Sequence, residues 1–229
     1  RPVTIYVKGH DPDSDLTLDQ VVERVVYGEN APDGEGKNLR GEPYRYYDQA
    51  GVLTFCSYDI QSHALRTERQ VLKQYKKEVN WDTIDGVELD DEVYPVQYAY
   101  DALSRLISEI TPDGTQYAAT YGIAGSVKKI DLTFADGTTQ TVVEDITYDA
   151  AGERRRIAYG NGSIANYTYE ETTERLMSIY TTRPDSGGTG TSVVQNIGYT
   201  YDPVGNLTRT RDHTHETVFC DQQMVEALS

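Results

Sequence analysis

The sequence predicts an all-β chain, mostly consecutive antiparallel β-hairpins in a curved repeat sheet, with room for one or two short helices near the N-terminus. Three observations predict it. A tyrosine is followed directly by an aspartate five times, at Tyr47-Asp48, Tyr58-Asp59, Tyr100-Asp101, Tyr148-Asp149 and Tyr201-Asp202, and a phrase that returns along a chain marks one supersecondary unit stacked many times. Turn dipeptides recur between runs of β-branched and aromatic residues, the sharpest being Asn161-Gly162. Nineteen tyrosines stand against three phenylalanines. A tyrosine ring buries apolar area while its hydroxyl still finds water or a partner, which suits a partly solvated sheet.

The repeated phrase has internal structure. Tyr47-Asp48-Gln49-Ala50-Gly51-Val52-Leu53, Tyr148-Asp149-Ala150-Ala151-Gly152-Glu153-Arg154 and Tyr201-Asp202-Pro203-Val204-Gly205-Asn206-Leu207 all place glycine four residues after the tyrosine. An aspartate entering a turn accepts hydrogen bonds from the amides ahead of it, and a glycine at the turn's end supplies the positive φ of a bulged hairpin. These residues, with Tyr58, Asp59, Tyr100 and Asp101, are therefore read as structural. At 58 and 100 the glycine position holds Ser62 and Ser104, so those turns are expected to close by another route. Tyr169-Glu170 opens a more degraded version ending at Leu176.

Along the chain, 3–7 alternates like a strand and breaks at Gly9-His10-Asp11-Pro12-Asp13. Over 17–27, Leu18, Val21, Val22, Val25 and Val26 stand near helical spacing, while four valines suit a strand, and both readings stay open. A polar, glycine-containing connector follows Gly28, and the hairpin pattern starts at Tyr44. The stretch 65–79 leaves strand and helix in competition, and 81–92 reads as an acidic surface loop. From Tyr94 onward, Pro112-Asp113-Gly114-Thr115, Ala135-Asp136-Gly137-Thr138 and Gly160-Asn161-Gly162-Ser163 mark hairpin turns, and 183–192 reads as a flexible hairpin loop. In the strand after Asn161-Gly162, Ala165, Tyr167 and Tyr169 share one face. The organisation expected is a lead-in over 1–43 and a repeat array over 44–229. Because the chain opens on Arg1 and stops soon after the strand-like 216–220, it reads as a piece of something longer with an exposed edge strand.

Composition narrows function by exclusion. With 37 acidic and 21 basic residues the formal charge is −16, which disfavours nucleic acid and anionic bilayers as partners. The clusters Lys73, Lys76, Lys77 and Arg154, Arg155, Arg156 read as solvated edges. No stretch has the length of a membrane span. Cys56 and Cys220 lie outside any metal-ligand or redox spacing, and whether they are bridged is left open.

With these phrases laid out, the sequence resembles the YD-repeat, or RHS-repeat, family, and within it the bacterial polymorphic toxins and the B and C components of insecticidal toxin complexes. Asn38-Leu39-Arg40-Gly41, Tyr44-Arg45-Tyr46-Tyr47-Asp48-Gln49-Ala50-Gly51 and Tyr159-Gly160-Asn161-Gly162 carry the likeness alongside the phrase at 201–207. The resemblance implies hairpins joined edge to edge in a long spiralling sheet that encloses a toxic polypeptide. The implied role is a non-catalytic shell segment, secreted or at a cell surface. Its implied partners are neighbouring repeats of the same longer polypeptide or a partner shell subunit, and the enclosed toxin. The family's self-cleaving aspartyl-protease region has an Asp-Pro-x-Gly phrase; Asp202-Pro203-Val204-Gly205 lacks its flanking signature, so Asp202 is read as a turn residue.

No catalytic, cofactor or metal site is expected. Asp11, Asp13 and Asp15 match the start of a calcium loop, but Leu16 stands where the loop needs glycine and Val22 where it needs glutamate. His213 and His215 share a strand face, and two ligands do not make a metal site. Gly187-Gly188-Thr189-Gly190 lacks the lysine of a phosphate loop. An extracellular carbohydrate- or protein-binding repeat module is the alternative, since tyrosine-rich faces supply interface anchors. A glycoside-active enzyme would need a carboxylate pair that nothing in the sequence selects.

Overall fold

In a computed structural model of the chain, the described residues are 1–229 apart from 2, 11–12, 14–16, 188–189, 215–217, 221–222 and 226–229. They form two compact units, Arg1–Gln116 and Tyr117–Ser229. Within each unit strands follow one another in chain order as hydrogen-bonded neighbours, antiparallel from the first to the seventh strand and from the ninth to the fifteenth. The first unit holds β1 (Thr4–His10), β2 (Thr17–Tyr27), β3 (Pro43–Asp48), β4 (Gly51–Tyr58), β5 (Ala64–Val71), β6 (Tyr94–Tyr100) and β7 (Leu106–Ile110). The second holds β8 (Gln116–Tyr121, its first residue in the first unit), β9 (Val127–Thr133), β10 (Thr139–Tyr148), β11 (Arg154–Tyr159), β12 (Ile164–Tyr169), β13 (Leu176–Pro184), β14 (Thr191–Tyr201) and β15 (Leu207–Asp212). A separate hairpin pairs β16 (Val218–Cys220) with β17 (Gln223–Val225). Among the described residues the helical content is a single 3-10 turn at Gly28–Asn30, and no helix is long and apolar enough to cross a membrane.

The open stretch 17–27 is strand. A bulge lies opposite the Ile5/Tyr6 step, where Ile5 pairs with Glu23 and Tyr6 with Val21. The extra residue flips the alternation, so Val21, Arg24 and Val26 share a face, and this phase shift produced the helix-like spacing. The stretch 65–79 is neither one long strand nor a helix: β5 ends at Val71 and turns follow.

Segment 72–92 folds back over the first unit's sheet: 81–92 is a loop with Asp82, Asp85, Glu88, Asp91 and Glu92 exposed, as expected, but its Trp81 is buried, which a surface loop does not provide for. Trp81 is 1% exposed and packs with Val21, Tyr47, Val52 and Leu72, while Val79, Ile84, Val87 and Leu89 close around them. Tyr47 and Trp81 rings lie 5.0 Å apart. Backbone and side-chain bonds fix this strap. Trp81 N–H donates to Val21 O at 2.9 Å, Trp81 Nε1 to Asp48 O at 2.9 Å, and Val21 N–H to Asn80 Oδ1 at 3.1 Å. Gln49 receives Val79 N–H and donates back to the carbonyls of Val79 and Val22. The bulge in β2 turns the Val21 and Val22 backbone groups toward the strap. In the second unit, Val143, Ile157 and Ala165 form the core on one sheet face, with Ile130, Ile146, Tyr159 and Tyr167 around them.

Candidate functional site

Every even-numbered strand from β2 to β14 ends in tyrosine: Tyr27, Tyr58, Tyr100, Tyr121, Tyr148, Tyr169 and Tyr201. In a meander, turns that leave even strands lie at one end of each unit's sheet and turns that leave odd strands at the other. The turns after Tyr58 and Tyr100 therefore share an end in the first unit, and those after Tyr148 and Tyr201 share an end in the second. Tyr47-Asp48 closes an odd strand and stands at the opposite end from the 58 and 100 copies.

Four Tyr-Asp turns have one geometry. The aspartate N–H donates to the carbonyl four residues on, and the N–H three residues on returns to the aspartate carbonyl, at 59–63, 101–105, 149–153 and 202–206. Oδ1 then accepts the amides two and four residues ahead: Gln61 and His63 on Asp59, Leu103 and Arg105 on Asp101, Ala151 and Glu153 on Asp149, Val204 and Asn206 on Asp202. Oδ2 meets a side chain just past the turn, namely His63 at 2.9 Å, Arg105 at 2.7 Å, Arg155 at 2.8 Å or Asn206 at 2.8 Å. The residue four after the tyrosine takes positive φ, with Ser62 at 66° and Ser104 at 63° beside Gly152 at 87° and Gly205 at 101°. Ser62 and Ser104 thus close their turns by the same route as the glycines. Register slips by one residue at each of these tyrosines, which pair with the residue six positions on: Ala64, Leu106, Arg154 and Leu207. This is a type I turn with a bulge.

The copy at 47–51 differs. Asp48 pairs with Gly51 across a two-residue hairpin, its carboxylate takes the amides of Ala50 and Gly51, and both oxygens meet Arg69. A turn of the common form also stands where sequence reasoning missed it. After Tyr121, Gly122 bonds with Ser126 and Gly125 with Gly122, and Gly125 has φ 85°. Glycine four after tyrosine was the available signal, hidden because Gly122 replaces the aspartate. Tyr169-Glu170 carries one more residue, with Glu174 at φ 56° and Glu170 N–H bonded to Arg175 O.

The tyrosine hydroxyls have a repeated destination. Tyr58 donates to Pro43 O at 2.8 Å, Tyr148 to Val127 O at 2.9 Å, Tyr169 to Arg154 O at 3.2 Å and Tyr201 to Leu176 O at 3.0 Å. Each acceptor is the first residue of the strand preceding the tyrosine's own. The phenol therefore ties the strand arriving at the turn end to the strand that left it. Consecutive turns also touch in the first unit: Ser104 Oγ meets Gln61 Oε1 at 3.0 Å, and the His63 ring stacks on Tyr100 at 4.6 Å. In the second, Arg175 reaches Asp202 O at 3.1 Å and lies over the Tyr201 ring. Removing one hydroxyl (Tyr148→Phe or Tyr201→Phe) should cost about 1 kcal/mol in urea unfolding. Tyr75→Phe, at 76% exposure, should leave the midpoint unchanged.

These bonds set the electrostatics. The Asn206 side chain and amide hold Asp202 below the usual carboxylate range, and Arg105 does so for Asp101. Burial pushes Asp59 and Asp149 up, but bonds from His63 and Gln61, and from Glu153, Arg155 and Ala151, outweigh it and leave both lowered. Folded pKa values below the unfolded value near 3.9 mean stabilisation that is complete above about pH 4 and lost as pH falls through the folded values. The urea midpoint should accordingly drop between about pH 4 and pH 2, and Asp101→Asn should flatten that drop. Burial pushes the Cys56 thiol up; the Cys220 side chain lies outside the described residues, as do Asp11, Asp15, Leu16, Gly188, Thr189 and His215. Among the described residues, no three His, Cys, Asp or Glu side chains stand together in a metal-holding group.

Edge-joined hairpins, with a tyrosine at the end of every second strand and one turn geometry shared by four of the Tyr-Asp turns, define a YD-repeat, or RHS-repeat, sheet resembling the shell region of insecticidal toxin complex components. No protein-family model matches the chain. Among individual proteins, it is 33% identical over 213 residues to toxin subunit YenC2 of Yersinia entomophaga, across 90% of this chain and 22% of YenC2. Toxin subunit YenC1 of the same organism is 29% identical over 211 residues, with the same coverage of 90% and 22%. The chain thus spans about a fifth of the length of these relatives. Its fold matches the crystal structure of TcdB2-TccC3 without the hypervariable C-terminal region, with a TM-score of 0.78, 31% identity, and coverage of 96% of this chain and 10% of that one. It also matches the Tc holotoxin pore of Photorhabdus luminescens carrying TccC3-D651A, with a TM-score of 0.77, 31% identity, and coverage of 96% and 10%.

Proposed function

We propose that this chain is a non-catalytic wall segment of a toxin-enclosing YD-repeat shell. The observation that carries the reading is the tyrosine at the end of every even strand from β2 to β14. A hydroxyl that bonds a backbone carbonyl and an aspartate that bonds backbone amides need no particular neighbour sequence, so hairpins can be added one after another into a sheet of any length. The turn carboxylates are occupied by amides and side chains, which leaves them ill placed for proton transfer or for use as a glycosidase pair. Similarity to toxin subunits and to TcdB2-TccC3 assemblies supports the same reading. Its partners are then adjoining repeats of a longer polypeptide or a partner shell subunit, with a toxin polypeptide inside, and its place is outside the producing cell or on its surface. The array proper runs over 44–229 with 1–43 leading into it, although β2 within the lead-in already ends in a tyrosine, Tyr27.

Protease protection of the complete gene product tests this. A polypeptide enclosed by the wall should survive digestion in the native particle and be cut once urea opens it. Equal cleavage before and after opening would remove the shell reading.

A further inference from the structure

We propose that the turns leaving the even-numbered strands form, in each unit, an apolar rim that packs against a second row of the same turn tips, carried by another length of the longer polypeptide. The inference rests on the shell reading for that polypeptide. In the first unit Ile60 is 95% and Leu103 70% exposed, and in the second Val204 is 81% exposed and Ile123 fully so. Ala150 and Ala151 are exposed at an intervening turn, and the longer turn at 170–175 interrupts the row with Glu171 and Thr172.

The opposite end of the sheets shows that the turn itself does not call for apolar tips. Turns at 111–115, 134–138 and 159–163 have the same pair of backbone bonds, with Gly114, Gly137 and Gly162 at positive φ. Their cap stands elsewhere. Oδ1 of Asp113, Asp136 and Asn161 accepts the amides of Thr115, Thr138 and Ser163, so the capping side chain occupies the exposed tip. Phe134 enters one of these turns and Pro112 and Ala135 share tips, but none of the three tips holds isoleucine, leucine or valine. In the Tyr-Asp turns the entering aspartate is the cap, which frees the tip. One exposed aliphatic side chain needs no explanation, but recurrence at one end of the sheet marks a contact surface.

Spacing selects the occupant. Tips on this rim come from every second strand and so recur about 10 Å apart, twice the strand separation of about 4.8 Å. A second length of the same sheet presents apolar tips at that interval, and the chain spans only 22% of YenC2. The rim aspartates are spent within their own turns, Asp101 and Asp149 on Arg105 and Arg155 and Asp59 and Asp202 on His63 and Asn206.

Thiol labelling tests the proposal, with Leu103→Cys and Val204→Cys on the rim and Ala135→Cys at the opposite end, each read by mass spectrometry of its own peptide. In the 229-residue chain all three should react at similar rates. In the complete gene product both rim thiols should slow at least about tenfold, since a covered thiol reacts only on local opening, while Ala135→Cys keeps its rate. Rim thiols that keep their rate, or equal slowing at position 135, would overturn the inference. A diazirine analogue of leucine at position 103 should crosslink to a Tyr-Asp turn elsewhere in the same polypeptide; a crosslink to the enclosed toxin, another subunit or a second copy would overturn it too. Protease protection with unslowed rim thiols removes this inference and leaves the shell, whereas slowed rim thiols without protection remove the shell.

Discussion

Trp81→Ala is expected to cost about 3–5 kcal/mol of stability, the range for truncating a fully buried large aromatic. The single tryptophan is 1% exposed and sits where three strands and the strap meet. Truncation removes its contact with Tyr47 and leaves the Asp48 carbonyl without the indole donor. Trp81→Phe restores most of the volume without the N–H, so it should recover more than half of the loss. Because the variants lack tryptophan, far-ultraviolet circular dichroism in urea is the suitable measurement. A shift corresponding to less than about 1 kcal/mol, the scale of an ordinary exposed substitution, would show that the strap does not hold the first unit's sheet.

The strap was the part of the fold least legible in the sequence. Trp81 stands among Asp82, Asp85, Glu88, Asp90, Asp91 and Glu92, and local composition reports a wet loop. Burial of one aromatic depends on strands β2 to β4, about thirty or more residues earlier in the chain, which no local window contains. The turn rule was more accessible. Aspartate capping and the offset of four follow from backbone geometry alone, and Asp149 and Asp202 show both. Grouping by phrase nevertheless placed Tyr47 with Tyr148 and Tyr201. Turn register separates them: Asp48 pairs with Gly51 across a two-residue hairpin, whereas Tyr148 and Tyr201 each pair across a one-residue slip, a difference that the phrase does not carry. Counting strand ends instead of dipeptides reveals Tyr121, where the dipeptide fails and the terminal tyrosine remains.

The second large effect separates two glycines that look equivalent in sequence. Gly51→Ala should destabilise by about 3–5 kcal/mol, combining backbone strain of about 1–3 kcal/mol with overpacking of similar size. Gly51 has φ +135°, and a Cβ there would lie 2.2 Å from Gln70 O, a backbone atom that moves only if β4 and β5 part. Gly152→Ala should cost about 1–2 kcal/mol, the strain of a left-handed residue alone, since with φ +87° its Cβ would meet nothing within 4 Å. Serine already occupies that position at 62 and 104 with φ of 66° and 63°, so Ser62→Gly and Ser104→Gly should stabilise. Their gain should stay below about 1 kcal/mol, because glycine also frees the unfolded chain. Urea midpoints of the four variants order the sites directly. Equal losses at Gly51 and Gly152 would mean that β4 and β5 do not approach as described. A loss at both serines would mean that their side-chain bonds, Ser62 Oγ to Glu42 Oε1 at 2.7 Å and Ser104 Oγ to Gln61 Oε1 at 3.0 Å, outweigh the relief of backbone strain. In that case serine in these turns links one turn to its neighbour, and the repeat tolerates the loss of glycine because the link offsets the strain.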